Sequence, residues 1–306
     1  MNLISAIICT YNRSEYLKKA IDSLLNQSLS KDKYEIIIVD NCCTDNTMEL
    51  VLSYKKIYNN IKYIYESEAG VSVARNTGTK LSQAPLIAYL DDDAVAENSW
   101  LKTITELFQE SNADVALIGG PISIIWETEI PDWLDPSLHV YLGKLDYGET
   151  HQILFPEKTP VFEGNMAIRK NYFELVNGFD TALGPKGKLF LTNEGVHLQQ
   201  KIIEKKGKIL FSANMKIQHH AKKSVIYKKW FENRVLSNGY SNGKTFKILN
   251  KKILPVLGRE FKSLFYFGFR YYFNTAKRNK SENSLFHLKL NFQYKLGYIK
   301  GLIKSV

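Results

Sequence analysis

Three consecutive aspartates, Asp91-Asp92-Asp93, close the short apolar run Leu86-Ile-Ala-Tyr-Leu90. Carboxylates at a strand end suit a hard divalent cation, Mn²⁺ or Mg²⁺, because such ions prefer oxygen ligands and share them with substrate phosphates. Adjacent aspartates also repel one another, so a neighbouring group is expected to compensate them. The same residues would serve as an acidic turn or helix cap leading into Asn98-Ser99-Trp100, and at this level both readings stand.

Other candidates follow the same pattern of polar residues beside apolar runs. Arg75 lies in Gly70-Val-Ser-Val-Ala-Arg-Asn-Thr-Gly78 at a turn-to-helix junction, where an arginine receives phosphate or a nucleoside edge, or else faces solvent on a crossover helix. Asp40 and Asp45 flank Asn41-Cys-Cys-Thr44, and Asp45 has the setting of a helix N-cap. Glu194 opens a helical stretch continuing through His197; it suits a general base or simply a helix start favoured by the dipole. His219-His220 ends an expected strand, with metal ligation and a structural role both open.

Something must hold these groups together. Leu3–Cys9, Glu35–Asp40, Ile61–Glu66, Leu86–Leu90 and Val115–Ile118 read as short buried strands. Helical patterns fill roughly 14–27, 46–57, 71–82 and 98–110 between them. Alternation of this kind implies an α/β fold with a mostly parallel central sheet flanked by helices, and ligands at the carboxyl ends of the strands. Thr10-Tyr11-Asn12, Asp40-Asn41, Glu66–Gly70 and Asp91–Asp93 each follow a strand and are predicted to meet on one rim. Residues 121–163 read as a loop-rich stretch with five prolines. A strand at Asn165–Ile168, a turn at Gly178-Phe-Asp180, a helix at about 194–206 and a strand at 208–211 follow.

At 306 residues, with 44% hydrophobic and 24% charged, the chain has the makings of a globular core and is neither disordered nor fibrous. Cys9, Cys42 and Cys43 form neither a disulfide framework nor a zinc motif, which points to a reducing compartment. No secretory signal or membrane-spanning run is recognisable. Charge divides the chain. Residues 221–306 carry 19 Lys and Arg against 3 Asp and Glu, leaving 22 against 28 in residues 1–220. A catalytic body of 1–220 and a helical, basic, aromatic-rich extension of 221–306 is the expected organisation.

In order, Ile7-Ile-Cys-Thr-Tyr-Asn-Arg13, Val39-Asp-Asn-Cys-Cys-Thr-Asp45, Gly70–Gly78, Tyr89-Leu-Asp-Asp-Asp93, Gly164-Asn165, Gly178-Phe-Asp180 and the Glu194–His220 block resemble the inverting glycosyltransferases of family 2, which have the GT-A fold. The resemblance covers about residues 3–220. It implies that Thr10, Asp40 and Arg75 hold the nucleoside of a nucleoside-diphosphate sugar, by default a UDP-sugar. It further implies that Asp91 and Asp93, with His219 as a further candidate, hold Mn²⁺ or Mg²⁺. Asp92 would reach the ribose, and Gly164-Asn165 would lie near donor sugar and acceptor.

The family usually has two consecutive acids at the helix start, the second commonly the base; here the pair reads Glu194-Gly195. Glu194 is therefore expected as base, with His197 as substitute, or else a weakened enzyme that only binds nucleotide sugar or partners. The tail, as in Phe261-Lys-Ser-Leu-Phe-Tyr-Phe-Gly-Phe-Arg-Tyr-Tyr-Phe273, suits helices in a membrane interface. This reading places the protein in the cytoplasm, peripheral on the inner face of the cell membrane, acting on a saccharide or lipid-linked saccharide in surface polysaccharide synthesis. Basic-aromatic composition is also a footprint of nucleic-acid binding; no nucleic-acid partner is expected.

Overall fold

The first strand, β1 (Ile4–Thr10), is apolar on both faces and every residue but Cys9 is buried. Such a strand belongs inside a sheet covered on two sides. Helices and strands then alternate: α1 (Ser14–Leu25), β2 (Tyr34–Asn41), α2 (Thr47–Lys55), β3 (Ile61–Glu66), α3 (Val71–Leu81), β4 (Leu86–Leu90), β5 (Ala94–Ala96) and α4 (Trp100–Glu110). The chain continues through β6 (Val115–Gly119), β7 (Ile122–Trp126), β8 (Gln152–Leu154), β9 (Asn165–Arg169), α5 (Lys170–Leu175), α6 (Glu194–Glu204), β10 (Lys208–Phe211) and β11 (Ile217–Ala221). It ends in three long helices, α7 (Lys228–Leu249), α8 (Leu254–Lys277) and α9 (Glu282–Ile303). The computed structural model describes residues 2–185, 191–249, 252–277 and 281–303.

The main sheet has the order β3-β2-β1-β4-β9-β6-β10-β8. Pairings β2/β3, β1/β2, β1/β4 and β6/β10 are parallel, while β9 and β8 run against their neighbours. Strand alternation sorts the core into two layers. Ile4, Ala6 and Ile8 face α1, α2 and α4 through Leu17, Ile21, Val51, Trp100 and Ile104. Ile7, Ile37 and Val39 face Ala74 of α3, Phe173 of α5 and Leu198 of α6. The expected α/β architecture is thus the observed one.

Residues 121–163 depart from the loop-rich expectation. They hold β7 and β8 as well as irregular chain, because Ile122-Ser-Ile-Ile-Trp126 is a β-rich run that the surrounding prolines mask. Strand β5, too short to leave a periodic signature, pairs antiparallel with β11 in a small second sheet, with β7 on β11's other side.

The chain divides into two compact units. The larger gathers Met1–Ile125, Gly143–Ala182 and Glu194–His220. The smaller gathers Trp126–Leu142, Leu183–Asn193 and Ala221–Val306. Within the smaller unit α7 and α9 approach backbone to backbone. A Cβ on Gly239 or Gly243 would lie 2.2 or 2.1 Å from the carbonyl oxygens of Tyr294 and Tyr298, and Gly297 and Gly301 meet α7 the same way. No helix among the described residues is long and apolar enough to cross a membrane.

Candidate active site

Parallel pairing of β1, β2, β3 and β4 brings their carboxyl ends to one rim, as predicted. Asn41 ties two of the loops together: its Nδ2 donates to the carbonyls of Glu66 and Glu68, and its Oδ1 accepts from Gly70 N–H. Asn12 Oδ1 accepts from Thr44 N–H at 2.6 Å and Asp45 N–H at 3.2 Å, joining the β1 loop to the β2 loop. Asp45 accepts from the backbone of Thr47 and of Ser14, so it anchors the starts of both α2 and α1.

The acidic triplet divides in its partners. Asp92 is buried, accepts from Thr10 Oγ1 at 2.9 Å and pairs with Arg13 at 2.9 Å. Burial pushes its carboxyl up to about 6, against the opposing pull of Arg13. Asp93 receives Arg13 Nη1 and His219 Nε2, each at 2.9 Å. Arg13 is therefore one compensating cation that the triplet requires. It was visible in the sequence as a motif residue, but nothing there signals its reach across 79 and 80 positions.

His219 arrives by strand register. Pairing of β11 with β5 sets His219 opposite Ala94, and His220 N–H donates to the Asp93 carbonyl at 3.0 Å. Asp91, Asp93 and His219 each offer one ligand atom, and the three atoms lie within 4.8 Å of one another. Two carboxylates and an imidazole at that spacing fit a divalent cation of the Mn²⁺ or Mg²⁺ type, the imidazole favouring the softer ion. Gly164 makes room for this arrangement, since a Cβ there would stand 2.3 Å from Asp91 Oδ2.

Arg75 sits behind the triplet rather than at its edge. It is buried, and it pairs with Glu194 at 2.9 Å and Asp91 at 3.4 Å while its guanidinium lies over the Phe179 ring. Asn76 brackets Phe179 from both sides, donating to its carbonyl and accepting its N–H at 2.9 Å each, which fixes the Gly178–Asp180 turn. Glu163 is half-buried beside this group, and its Oε1 lies 1.8 Å from where a Cβ on Gly195 would be. Burial, and then the charge of Glu194, push its carboxyl up to about 7. Glu163 was not singled out as a site residue from the sequence.

The remaining candidates are more fully engaged within the chain. Asp40 accepts from Cys43 N–H and from Tyr63 Oη, both at 2.8 Å. His197 is buried with Nδ1 3.7 Å from Asp180, and burial and Lys201 hold its imidazole below the usual range. Asn165 is wholly buried: Oδ1 accepts from Trp100 Nε1 at 2.8 Å, and Nδ2 donates to the carbonyls of Pro121 and Met215. Its amide fastens β9 to α4 and to the chain beside β7 and β11. Asn165→Leu strips the buried indole N–H of its acceptor and is expected to destabilise the fold by about 2–3 kcal/mol, measured by chemical denaturation. A loss below about 0.5 kcal/mol, the range of an ordinary surface change, would remove this role.

The family model of glycosyl transferase family 2 matches residues 5–176, more than half of the chain. The chain belongs to glycosyl transferase family 2. This family member is a glycosyltransferase enzyme. A glucosyl-dolichyl phosphate glucuronosyltransferase of Haloferax volcanii is 23% identical over 243 residues, covering 78% of this chain and 75% of that one. The poly(ribitol-phosphate) beta-N-acetylglucosaminyltransferase TarS of Staphylococcus aureus is 26% identical over 219 residues, 66% of this chain but 38% of TarS. Among solved structures, the mannosyltransferase PcManGT from Pyrobaculum calidifontis, in complex with GDP-Man and Mn²⁺, matches with a TM-score of 0.58 at 18% identity. That match covers 80% of this chain and 64% of PcManGT. S. aureus TarS 1-349 in complex with UDP-GlcNAc matches with a TM-score of 0.54 over 77% of this chain and 66% of that one. These likenesses establish a GT-A-like fold. The chain spans under two thirds of PcManGT and well under half of full-length TarS.

Proposed function

We propose that this glycosyltransferase moves a sugar from a nucleoside-diphosphate sugar to an acceptor hydroxyl with inversion at the anomeric carbon. The observation that carries the reading is the Asp91–Asp93–His219 cluster at the carboxyl rim of the parallel strands, with Arg75 against Asp91. GDP-Man with Mn²⁺ in PcManGT and UDP-GlcNAc in TarS support a nucleotide-sugar donor. Asp91, Asp93 and His219 would hold the divalent cation, whose chemistry is to neutralise charge on the departing nucleoside diphosphate. Thr10 and Arg13 fix the Asp92 carboxylate, and the Asp40 and Gly70 region forms the floor for the nucleoside. Gly164, lacking a Cβ, leaves the room that the Asp91 carboxylate occupies. Arg75 keeps the crowded carboxylates behind the donor compatible with one another. A carboxylate of the Glu163–Glu194 pair takes the acceptor proton.

The test is a panel of UDP-, GDP- and dTDP-sugars with Mn²⁺, following release of nucleoside diphosphate and the anomeric configuration of the product. Absence of turnover and of metal-dependent binding across the panel would overturn the reading.

The relatives' names, a dolichyl-phosphate-linked sugar and a poly(ribitol-phosphate), suggest an acceptor on a lipid carrier or surface polymer. Helix α8 supports the lipid side of that choice. Phe261, Phe265, Phe269 and Phe273 recur at helical spacing, and Phe265 and Phe269 stand 75% and 68% exposed. Arg259, Lys262, Arg270 and Lys277 lie on the same helix. Exposed aromatics among cations match an anionic phospholipid surface, where the rings enter the interface and the cations meet lipid phosphates. These features support a peripheral position on the inner face of the cell membrane. Phe265→Glu with Phe269→Glu is expected to weaken co-sedimentation with phosphatidylglycerol vesicles by about a hundredfold, from the lost burial of two rings. Wild type that stays in the supernatant at every salt concentration, or prefers RNA to vesicles, would defeat this placement.

A further inference from the structure

A transferred sugar needs a group that accepts the proton of the attacking hydroxyl, and three carboxylates surround Arg75. Asp91 belongs to the cation cluster. Glu194 is buried with Oε1 on Arg75 at 2.9 Å, so its charge is already committed to a buried ion pair. Glu163 differs from both. It is only partly buried, and no side chain among the described residues hydrogen-bonds to it.

We propose that Glu163 is the catalytic base. Its carboxylate takes the hydroxyl proton while the hydroxyl oxygen bonds to the anomeric carbon. The bond from that carbon to the diphosphate breaks, and the nucleoside diphosphate leaves with the electron pair. This assignment rests on the transfer reading above and names the residue that completes it.

Gly195 is the second residue of α6, and any side chain there would put Cβ 1.8 Å from Glu163 Oε1. The carboxylate of Glu163 therefore occupies the volume that a side chain at position 195 would claim. Gly195 is the condition for Glu163 to lie where it does. An acid is not missing from this corner; it enters from the β9 side, two residues before Asn165, instead of from the helix. Arg75 and Glu194 hold the corner rigid from behind, and Asp91 bounds it on the cation side. A carboxyl held up to about 7 is also a stronger proton acceptor than an ordinary glutamate.

The experiment uses the full chain with whichever donor the panel identifies. Glu163→Gln is expected to lower kcat by roughly a hundred- to ten-thousand-fold, as loss of general base catalysis does, with Mn²⁺-dependent stabilisation by the nucleoside diphosphate unchanged. The decisive arm moves the acid across the gap. Gly195→Asp alone collides with Glu163, whereas Glu163→Ala combined with Gly195→Asp refills the same volume from the helix side. The double variant is expected to exceed Glu163→Ala by at least about tenfold in kcat, a coupling that independent sites do not show. Glu163→Gln with turnover within tenfold of wild type would overturn the proposal, as would a double variant no faster than Glu163→Ala. Wild type that transfers no sugar would instead strike the transfer reading itself. Retained nucleoside-diphosphate binding in each variant separates a chemical defect from misfolding.

Discussion

Asp93→Asn is expected to cut sugar transfer by about a thousandfold or more and to abolish Mn²⁺-dependent stabilisation by nucleoside diphosphate. The loss corresponds to several kcal/mol of transition-state charge stabilisation, and each 1.36 kcal/mol is tenfold in rate. Asp93 carries this much because its carboxylate is common to three groups. It is one of the cluster with Asp91 and His219, and it pairs with both Arg13 and His219 at 2.9 Å. An amide of the same size keeps the packing but removes the anionic ligand and offers an N–H to Arg13. Thermal unfolding makes the clearest readout. A ligand at a hundred times its Kd adds about 2.7 kcal/mol to the native state, so wild type shifts upward only when Mn²⁺ and nucleoside diphosphate are both present. Asp93→Asn should show no such joint shift. A variant that retains both the shift and turnover would remove Asp93 from the metal site.

The rim of the candidate site was legible because its residues sit at strand ends, where the chain itself announces them. Ile61–Glu66 and Leu86–Leu90 have the bounds read from the sequence, and the polar residues after them meet as the parallel topology demands. What stayed hidden depends on contacts distant in the chain. Arg13 looks like any basic residue before a helix until β4's loop delivers Asp92 and Asp93 to it. Asn165 follows a glycine near the expected sugar site, and only its depth shows the amide fastened to Trp100 and two carbonyls. Glu163 and Gly195 are 32 positions apart, and a glycine in a one-dimensional reading looks like a lost acid. Three dimensions show it as a vacated volume with a carboxylate in it. Strands as short as Ala94–Ala96 likewise exist through their partner, since β5 forms by pairing with β11 and carries no periodic signal of its own.

Glu194→Gln is expected to destabilise the protein by roughly 3 kcal/mol and to weaken nucleoside-diphosphate binding together with turnover. Both Arg75 and Glu194 are more than nine-tenths buried, and removing one charge of such a pair leaves the other uncompensated at a cost of about 3–5 kcal/mol. The lower end applies because Arg75 retains Asp91 at 3.4 Å and the field of Glu163. Relieved of Glu194, the guanidinium is drawn toward those two carboxylates, which disturbs the cation cluster on one side and ties up the proposed base on the other. Two different losses then follow from one substitution, and they separate this residue from Glu163. Were Glu194 the base, Glu194→Gln would fold and bind nucleoside diphosphate normally and fail only in kcat. As the clamp on Arg75, it fails first in stability, seen as a lower urea midpoint at unchanged slope. A Glu194→Gln protein with wild-type stability and binding but no turnover would return the base to Glu194 and leave Glu163 the supporting role.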